Sequence, residues 1–202
     1  MSINVCNDRS LASITSLPSG VSGSSLVLLE TQTVSSSSTV SFTSNIDSTY
    51  KEYIFKFIDI HMATSDASFT VNFRDGGSNY DATKTTTFFR AYHNEGGSAQ
   101  ALTYSSSADL AQSTSAQAII TSNGTDNDMS ASGTLHLFDP SNTTFVKHFL
   151  SDCHVYHKDD YSQTLFVAGY ANVTAAIDGV QFGSSSGNID AGTIKMYGLK
   201  DS

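Results

Sequence analysis

Tryptophan is absent from this 202-residue chain, and proline and cysteine occur only twice each. Cys6 and Cys153 are too few and too far apart for the disulfide framework that staples small secreted domains. Neither sits in a C-x-x-C pair, which argues against redox catalysis. Two free thiols are expected in preference to one disulfide. Charge is scarce as well: 14% of residues are charged, against about 25% in ordinary domains. Basic residues number 10 against 19 acidic, a net charge of −9. That balance argues against nucleic-acid binding, which needs a basic footprint, and against adhesion to an anionic membrane surface. No run approaches the roughly 18 apolar residues of a spanning helix. No basic region followed by an apolar core opens the chain, so a secretory signal is not expected. A protein made in a cytoplasm and remaining soluble is expected, and the sequons at Asn123, Asn142 and Asn172 then read as accidents of composition.

Serine and threonine together exceed a quarter of the residues, and phenylalanine and tyrosine are plentiful. Ser, Thr and Gly serve turns, whereas Thr, Phe and Tyr serve strands. The densest β-forming run is 50–62, YKEYIFKFIDIHM. Alternation puts Tyr53, Phe55 and Phe57 on one face and Ile54, Ile58 and Ile60 on the other, with Lys56 interrupting. A strand apolar on both faces wants cover on both. One side reads as the core and the other as a second layer or a neighbouring subunit.

Further strands are expected over 26–33, 39–43, 67–74, 85–93, 117–121, 131–138, 143–156, 164–172, 177–182 and 193–197. The segment 143–156 reads as apolar on both faces, with Phe145 and Phe149 opposite Val146 and Leu150, and as the natural partner of 50–62. Turns are expected at 75–78, 94–97 and 139–142. The stretch 98–130 is the least regular. Ten or eleven strands with no convincing helix and no internal repeat predict an all-β fold, an antiparallel β-sandwich of jelly-roll-like form. Residues 1–25 differ, with Pro18, a Gly/Ser-rich end and irregularly spaced Ile3, Val5, Leu11, Ile14 and Leu17. They read as an extended N-terminal arm that docks on a partner, ahead of a sandwich domain over 26–202.

No pattern carries chemistry. His154 and His157 lie three apart, so on a strand they diverge, and they converge on a metal only if the strand ends between them; a strand running into a polar turn is expected. The loop 123–128 offers oxygens to calcium but lacks EF-hand order. No G-x-S-x-G elbow is present. Glutamate is limited to Glu30, Glu52 and Glu95, which leaves little for a paired-carboxylate hydrolase. His61, His93, His136 and His148 read as packed, interface or turn residues, and Lys51, Lys56, Arg90 and Lys147 as charges on sheet faces. Phe88, Tyr92, Phe138 and Tyr170 fall on outward faces in one strand register, suited there to stacking on a sugar or burying against another chain, while core packing is the expected fate of most of them. The sequence therefore assigns no catalytic, cofactor-binding or metal-ligating residue, calls for no cofactor and predicts a protein that is not an enzyme.

The strings TVSFTSNIDSTYKEYIFKFIDIHMATSDASFTVNF, FFRAYHNE, SGTLHLFDPSNTTFVKHF, FVAGYANVTAAIDGVQF and GTIKMYG, in that order, resemble a family of virion-associated proteins of tailed bacteriophages, especially aquatic ones. The likeness covers most of 26–198, and the opening NDRSLASITSLPSGV resembles the arm of such proteins. The resemblance implies a β-sandwich built into a virion and supplies no enzymatic residues. Head surface, tail and fibre all stay open. Among these the favoured expectation is a capsid decoration or cement protein, assembled on the particle surface after synthesis in the host cytoplasm. Its implied partners are further copies of itself, a trimer by family analogy, and the major capsid protein or other virion proteins, with no nucleic acid and no membrane. The alternative is a tail or fibre adhesin that recognises a host surface glycan.

Overall fold

Where Thr, Val, Ile, Phe and Tyr crowd together the chain is extended, and where Gly, Ser, Asn and Asp crowd together it turns. The computed structural model describes residues 25–200. The expected arm over 1–25 lies, but for Ser25, outside the described residues, as does Cys6. Twelve strands run in order: β1 (Leu26–Ser37), β2 (Thr39–Phe42), β3 (Glu52–Met62), β4 (Phe69–Arg74), β5 (Lys84–Asn94), β6 (Gln100–Tyr104), β7 (Gln117–Ile120), β8 (Ala131–Phe138), β9 (Lys147–His157), β10 (Tyr161–Ala171), β11 (Gly179–Ser184) and β12 (Ile189–Leu199). They form an eight-stranded sheet, β1-β12-β3-β8-β9-β10-β5-β6, and a four-stranded sheet, β2-β11-β4-β7. Every pairing is antiparallel. The fold is an antiparallel β-sandwich.

Aromatic rings join the layers. Phe182 of β11 meets Phe42 and Phe69 of its own sheet and Phe55 and Phe57 of β3 opposite, with ring centroids 5.1–6.1 Å apart. Phe73 of β4 meets Phe149 of β9 at 5.0 Å. These edge-to-face and stacked contacts add to a large apolar burial.

The middle of the large sheet departs from simple alternation. Tyr53, Phe55 and Phe57 face the core as expected, but so do Ile60 and Met62. A register shift between Phe57 and Ile60 supplies the reason: Asp59 adopts φ 50°, and the extra residue turns the rest of the strand over. Aspartate tolerates this left-handed conformation better than a β-branched residue. The Asp59 amide donates to Ser132 Oγ at 3.1 Å. Facing the bulge, Gly192 of β12 has φ 135°, and a side chain there would lie 2.8 Å from Ile60 Cδ1. Bulge and glycine are a matched pair.

Other expectations change. Strand β9 is not the neighbour of β3, which pairs with β12 and β8. The turn after Asp139 folds β9 back on β8, so β8 comes between them. Phe145 and Val146 precede β9, with Phe145 69% exposed, and β9 itself is apolar on one face, burying Phe149, Cys153 and Val155. Phe88 is in the core, 1% exposed, the fate expected of most of these aromatics, and Phe89 is the one that points outward. Lys147 is fully buried because its ammonium reaches the carbonyls of Val173 (2.9 Å) and Phe145 (3.3 Å). Strand β6, inside the stretch read as irregular, is exposed at Gln100, Leu102 and Tyr104, and its run is short.

Candidate functional site

Only one face of the eight-stranded sheet packs on the smaller sheet. The other carries no layer from the described residues. Pairing registers align Leu28, Tyr197, Ile54, His136 and Leu150 in one row across it. Two residues along, Phe166, Phe89 and Tyr104 stand side by side, and the rings of Phe89 and Phe166 stack at 4.9 Å. Seven large hydrophobics are prominently exposed among the described residues: Leu28, Ile58, Phe89, Leu102, Tyr104, Phe145 and Leu150. All but Phe145 belong to this face, so they form a surface rather than the usual scatter.

The opposite, inward face of the same sheet outruns its cover. Strand β7 ends at Ile120, while β5, β9 and β10 continue past it. Their inward side chains open a recess of about 240 Å³ lined by Arg90, Tyr92, His157, Asp159, Tyr161 and Gln163. Alternation positions them: Phe88, Arg90 and Tyr92 share a face of β5, as do Tyr161, Gln163 and Leu165 on β10. The Arg90 guanidinium lies 5.6 Å from the Tyr92 ring centroid, and its Nη1 donates to Gln163 Oε1 at 3.1 Å. Tyr161 sits edge-on to Tyr92 (5.5 Å) and to His157 (5.2 Å).

His157 is neutral in this setting. Burial pushes its pKa down, outweighing the nearby Asp159 carboxylate. The Asp159 amide donates to His157 Nδ1 at 3.1 Å, which places the ring proton on Nε2. The 3.7 Å approach of the Asp159 carboxylate to that same nitrogen is then no ion pair, and Asp159 pairs with Lys158 at 3.0 Å.

The other residues weighed for chemistry are dispersed. His154 lies exposed on the outer face against Ser162 Oγ (2.9 Å), turned away from buried His157. Asn123 is 2% exposed and holds the Ala67 carbonyl at 2.9 Å, so its amide serves the core. Among the described residues no three His, Cys, Asp or Glu side chains are grouped to hold a metal. Cys153 is a free, buried thiol whose pKa burial pushes up to about 12, so it is protonated. His136 meets Glu52 at 2.5 Å on the outer face, and His61 meets Asp190 at 3.3 Å. Of the aromatics that one register puts on outward faces, Tyr92 lines the inward recess, while Phe138 and Tyr170 are half-buried on the outer face.

Two features escaped the sequence reading: buried Lys84, and the recess itself. Lys84 reaches Asn72 Oδ1 (2.5 Å) and the Ala82 carbonyl (2.7 Å). The available signal for the recess was Arg90 sharing a face with Phe88 and Tyr92, a cation in an aromatic row. No family model, no curated protein and no solved structure matches this chain.

Proposed function

We propose that this chain is a structural protein of a tailed-phage virion, a capsid decoration or cement protein. It works by burying surface against further copies of itself and against the head. The observation that carries the reading is the uncovered outer face, where six of the seven prominently exposed large hydrophobics gather. Strand spacing of about 4.8 Å and a rise of about 3.3 Å per residue, over eight strands most of which are 11 residues long, give that face roughly 1,300 Å². A standard interface takes about 800 Å² from each partner. A second copy presents the same surface, its apolar residues interleaved with Lys56, Lys195, Glu52 and Asp152, so a symmetric pairing can set opposite charges against one another around the apolar contacts. The particle assignment rests on the phage-family resemblance, in which residues 1–25 clamp the domain to the shell. The jelly-roll form of the sandwich is supported by chain path. From β2 to β5 the chain changes sheet at every step, and it does so again from β10 to β12.

Light scattering on the purified protein tests the self-association. The wild type is expected to be oligomeric at micromolar concentration, a trimer by analogy. The double variant Phe89→Asp, Leu102→Asp is expected to be monomeric with a thermal midpoint within a few degrees of wild type, since both side chains face solvent in the single chain. A monomeric wild type contradicts the assembly reading. Imaging of labelled protein on virions then decides head against tail. A second reading, a tail or fibre adhesin for a host glycan, is favoured by the aromatic recess.

A further inference from the structure

We propose that the recess formed by β5, β9 and β10 binds a carboxylate-bearing sugar, with the Arg90 guanidinium holding the carboxylate. This site does not depend on where the protein sits in a particle, because it belongs to the single chain and to the face opposite the apolar one.

Arg90 is the reason. A guanidinium offers five N–H donors in a planar fork and is always charged. Here it is more than half buried on the inward face of a sheet, yet its one hydrogen bond among the described residues goes to neutral Gln163. Its Nε is buried with no hydrogen-bond partner among the described residues. No carboxylate among the described residues stands within 4 Å of it, in a chain with 19 acidic residues. Arg74, the other arginine among the described residues, is paired with Asp178 at 2.7 Å, and the buried ammonium groups of Lys84 and Lys147 each have two oxygen partners. An unpaired guanidinium on a low-dielectric wall is costly to keep and gains most from an incoming anion able to accept two parallel bonds.

The rest of the lining selects the ligand's body. Tyr92 and Tyr161 give aromatic surface, and neither hydroxyl has a hydrogen-bond partner among the described residues. Neutral His157 keeps its Nε2 proton as a donor. Asp159 at the margin offers acceptors to hydroxyl groups, and its charge disfavours a doubly charged phosphate more than a singly charged carboxylate. Aromatic faces for ring C–H groups, combined with scattered donors and acceptors for hydroxyls, suit a sugar ring better than an aliphatic acid. The volume, about 240 Å³, is room for roughly eight waters, which fits one residue rather than a chain.

Calorimetric titration of the full chain with sodium glucuronate is the test, with glucose, sodium acetate and inorganic phosphate as comparison ligands. One saturable glucuronate site per chain is expected, with glucose and acetate each weaker by about tenfold or more, as loss of a charged hydrogen-bond pair or of the ring contacts requires. Arg90→Gln is expected to weaken glucuronate by a similar factor while leaving glucose unchanged. Tyr161→Phe, which keeps the packing and removes one hydroxyl, is expected to weaken it a few-fold and serves if Arg90→Gln does not fold. No saturable glucuronate binding, glucose binding equally well, phosphate displacing glucuronate at equal concentration, or an undiminished affinity in Tyr161→Phe and Arg90→Gln would each overturn the assignment.

Discussion

Phe182→Ala is expected to lower the unfolding free energy by about 3–5 kcal/mol, the cost of deleting a fully buried phenyl group. The residue is 0% exposed and is the ring that touches four others, two from each sheet. Its removal takes away transfer free energy and four ring contacts, leaving Phe42–Phe55 (5.3 Å) and Phe57–Phe69 (5.2 Å) as the ring pairs that still cross between the layers there. Collapse into the gap is resisted because β11 is an inner strand, paired with β2 over Val180–Gly183 and with β4 over Gly179–Ser184. A strand hydrogen-bonded on both edges cannot slide inward without breaking ladder bonds. The cost therefore falls at the upper part of the range for large-to-small changes. Urea unfolding measures it, as a fall in midpoint with an unchanged slope. The control is Phe145→Ala, where the ring is 69% exposed on a loop and the expected change is within about 0.5 kcal/mol. A dry apolar cavity of this kind accepts small hydrocarbons, so saturating benzene is expected to return part of the lost stability to Phe182→Ala and nothing to Phe145→Ala. A loss below about 1 kcal/mol would mean the two layers are joined elsewhere.

The strong periodicities in this chain were readable because both the parity and the face were constrained. In β4, Phe69, Val71 and Phe73 alternate with Thr70 and Arg74, and the phenyl rings go inward. Segment 131–138 matches β8 at both ends. In β5 the parity was readable but the face was not. Phe88, Arg90 and Tyr92 do share a side, yet TTTFFRAYH has an aromatic on each parity, and nothing local says whether Phe88 or Phe89 meets the core. Burial is decided by the sheet opposite, which no stretch of nine residues encodes. In β3 a bulge defeated the parity itself: Asp59 inserts one residue, so Ile60 joins the phenyl face that alternation denied it. A paired Gly192 on a strand more than a hundred residues away completes that feature.

The recess was hidden for the same reason. Arg90, His157 and Gln163 come from three strands, and their convergence depends on β10 lying between β9 and β5. Motif reading looks for chemistry at fixed spacing and finds none here. The outer face fared better. The double-sided apolar character of 50–62 pointed to cover on both sides, and Ile54 and Ile58 do lie on the face left open. What the sequence could not show is that this face continues across the sheet to Leu150, Phe89 and Leu102, because that continuity is a property of register.

Lys84 gives the protein an alkaline stability gain that Lys84→Met should lack. Its ammonium is fully buried, held by Asn72 Oδ1 and the Ala82 carbonyl, both uncharged. Burial pushes the pKa down from 10.5 to about 8, against a weaker upward pull from Asp81 and Asp75. Below pH 8 folded and unfolded chains both carry the proton, and the folded state bears the cost of a buried charge. Between about 8 and 10.5 the folded amine releases its proton while the unfolded chain still holds it. The unfolded state then binds more protons, so stability rises with pH across this window and levels off above 10.5. At about 1.4 kcal/mol per pKa unit, the gain is on the order of 3 kcal/mol. Other groups pull the opposite way. Cys153 loses its proton near 9 when unfolded but near 12 when folded, and burial raises Tyr53 as well, so each lowers stability as the solution becomes more alkaline. Lys147, lowered by burial, acts in the same direction as Lys84. All of these are common to wild type and Lys84→Met, and they cancel when the two are compared at each pH. Urea midpoints from pH 7.5 to 10.5 should therefore show wild type gaining on Lys84→Met by on the order of 3 kcal/mol. A difference that stays flat across the window would mean that Lys84 keeps its proton in the folded state, satisfied by the two neutral oxygens alone.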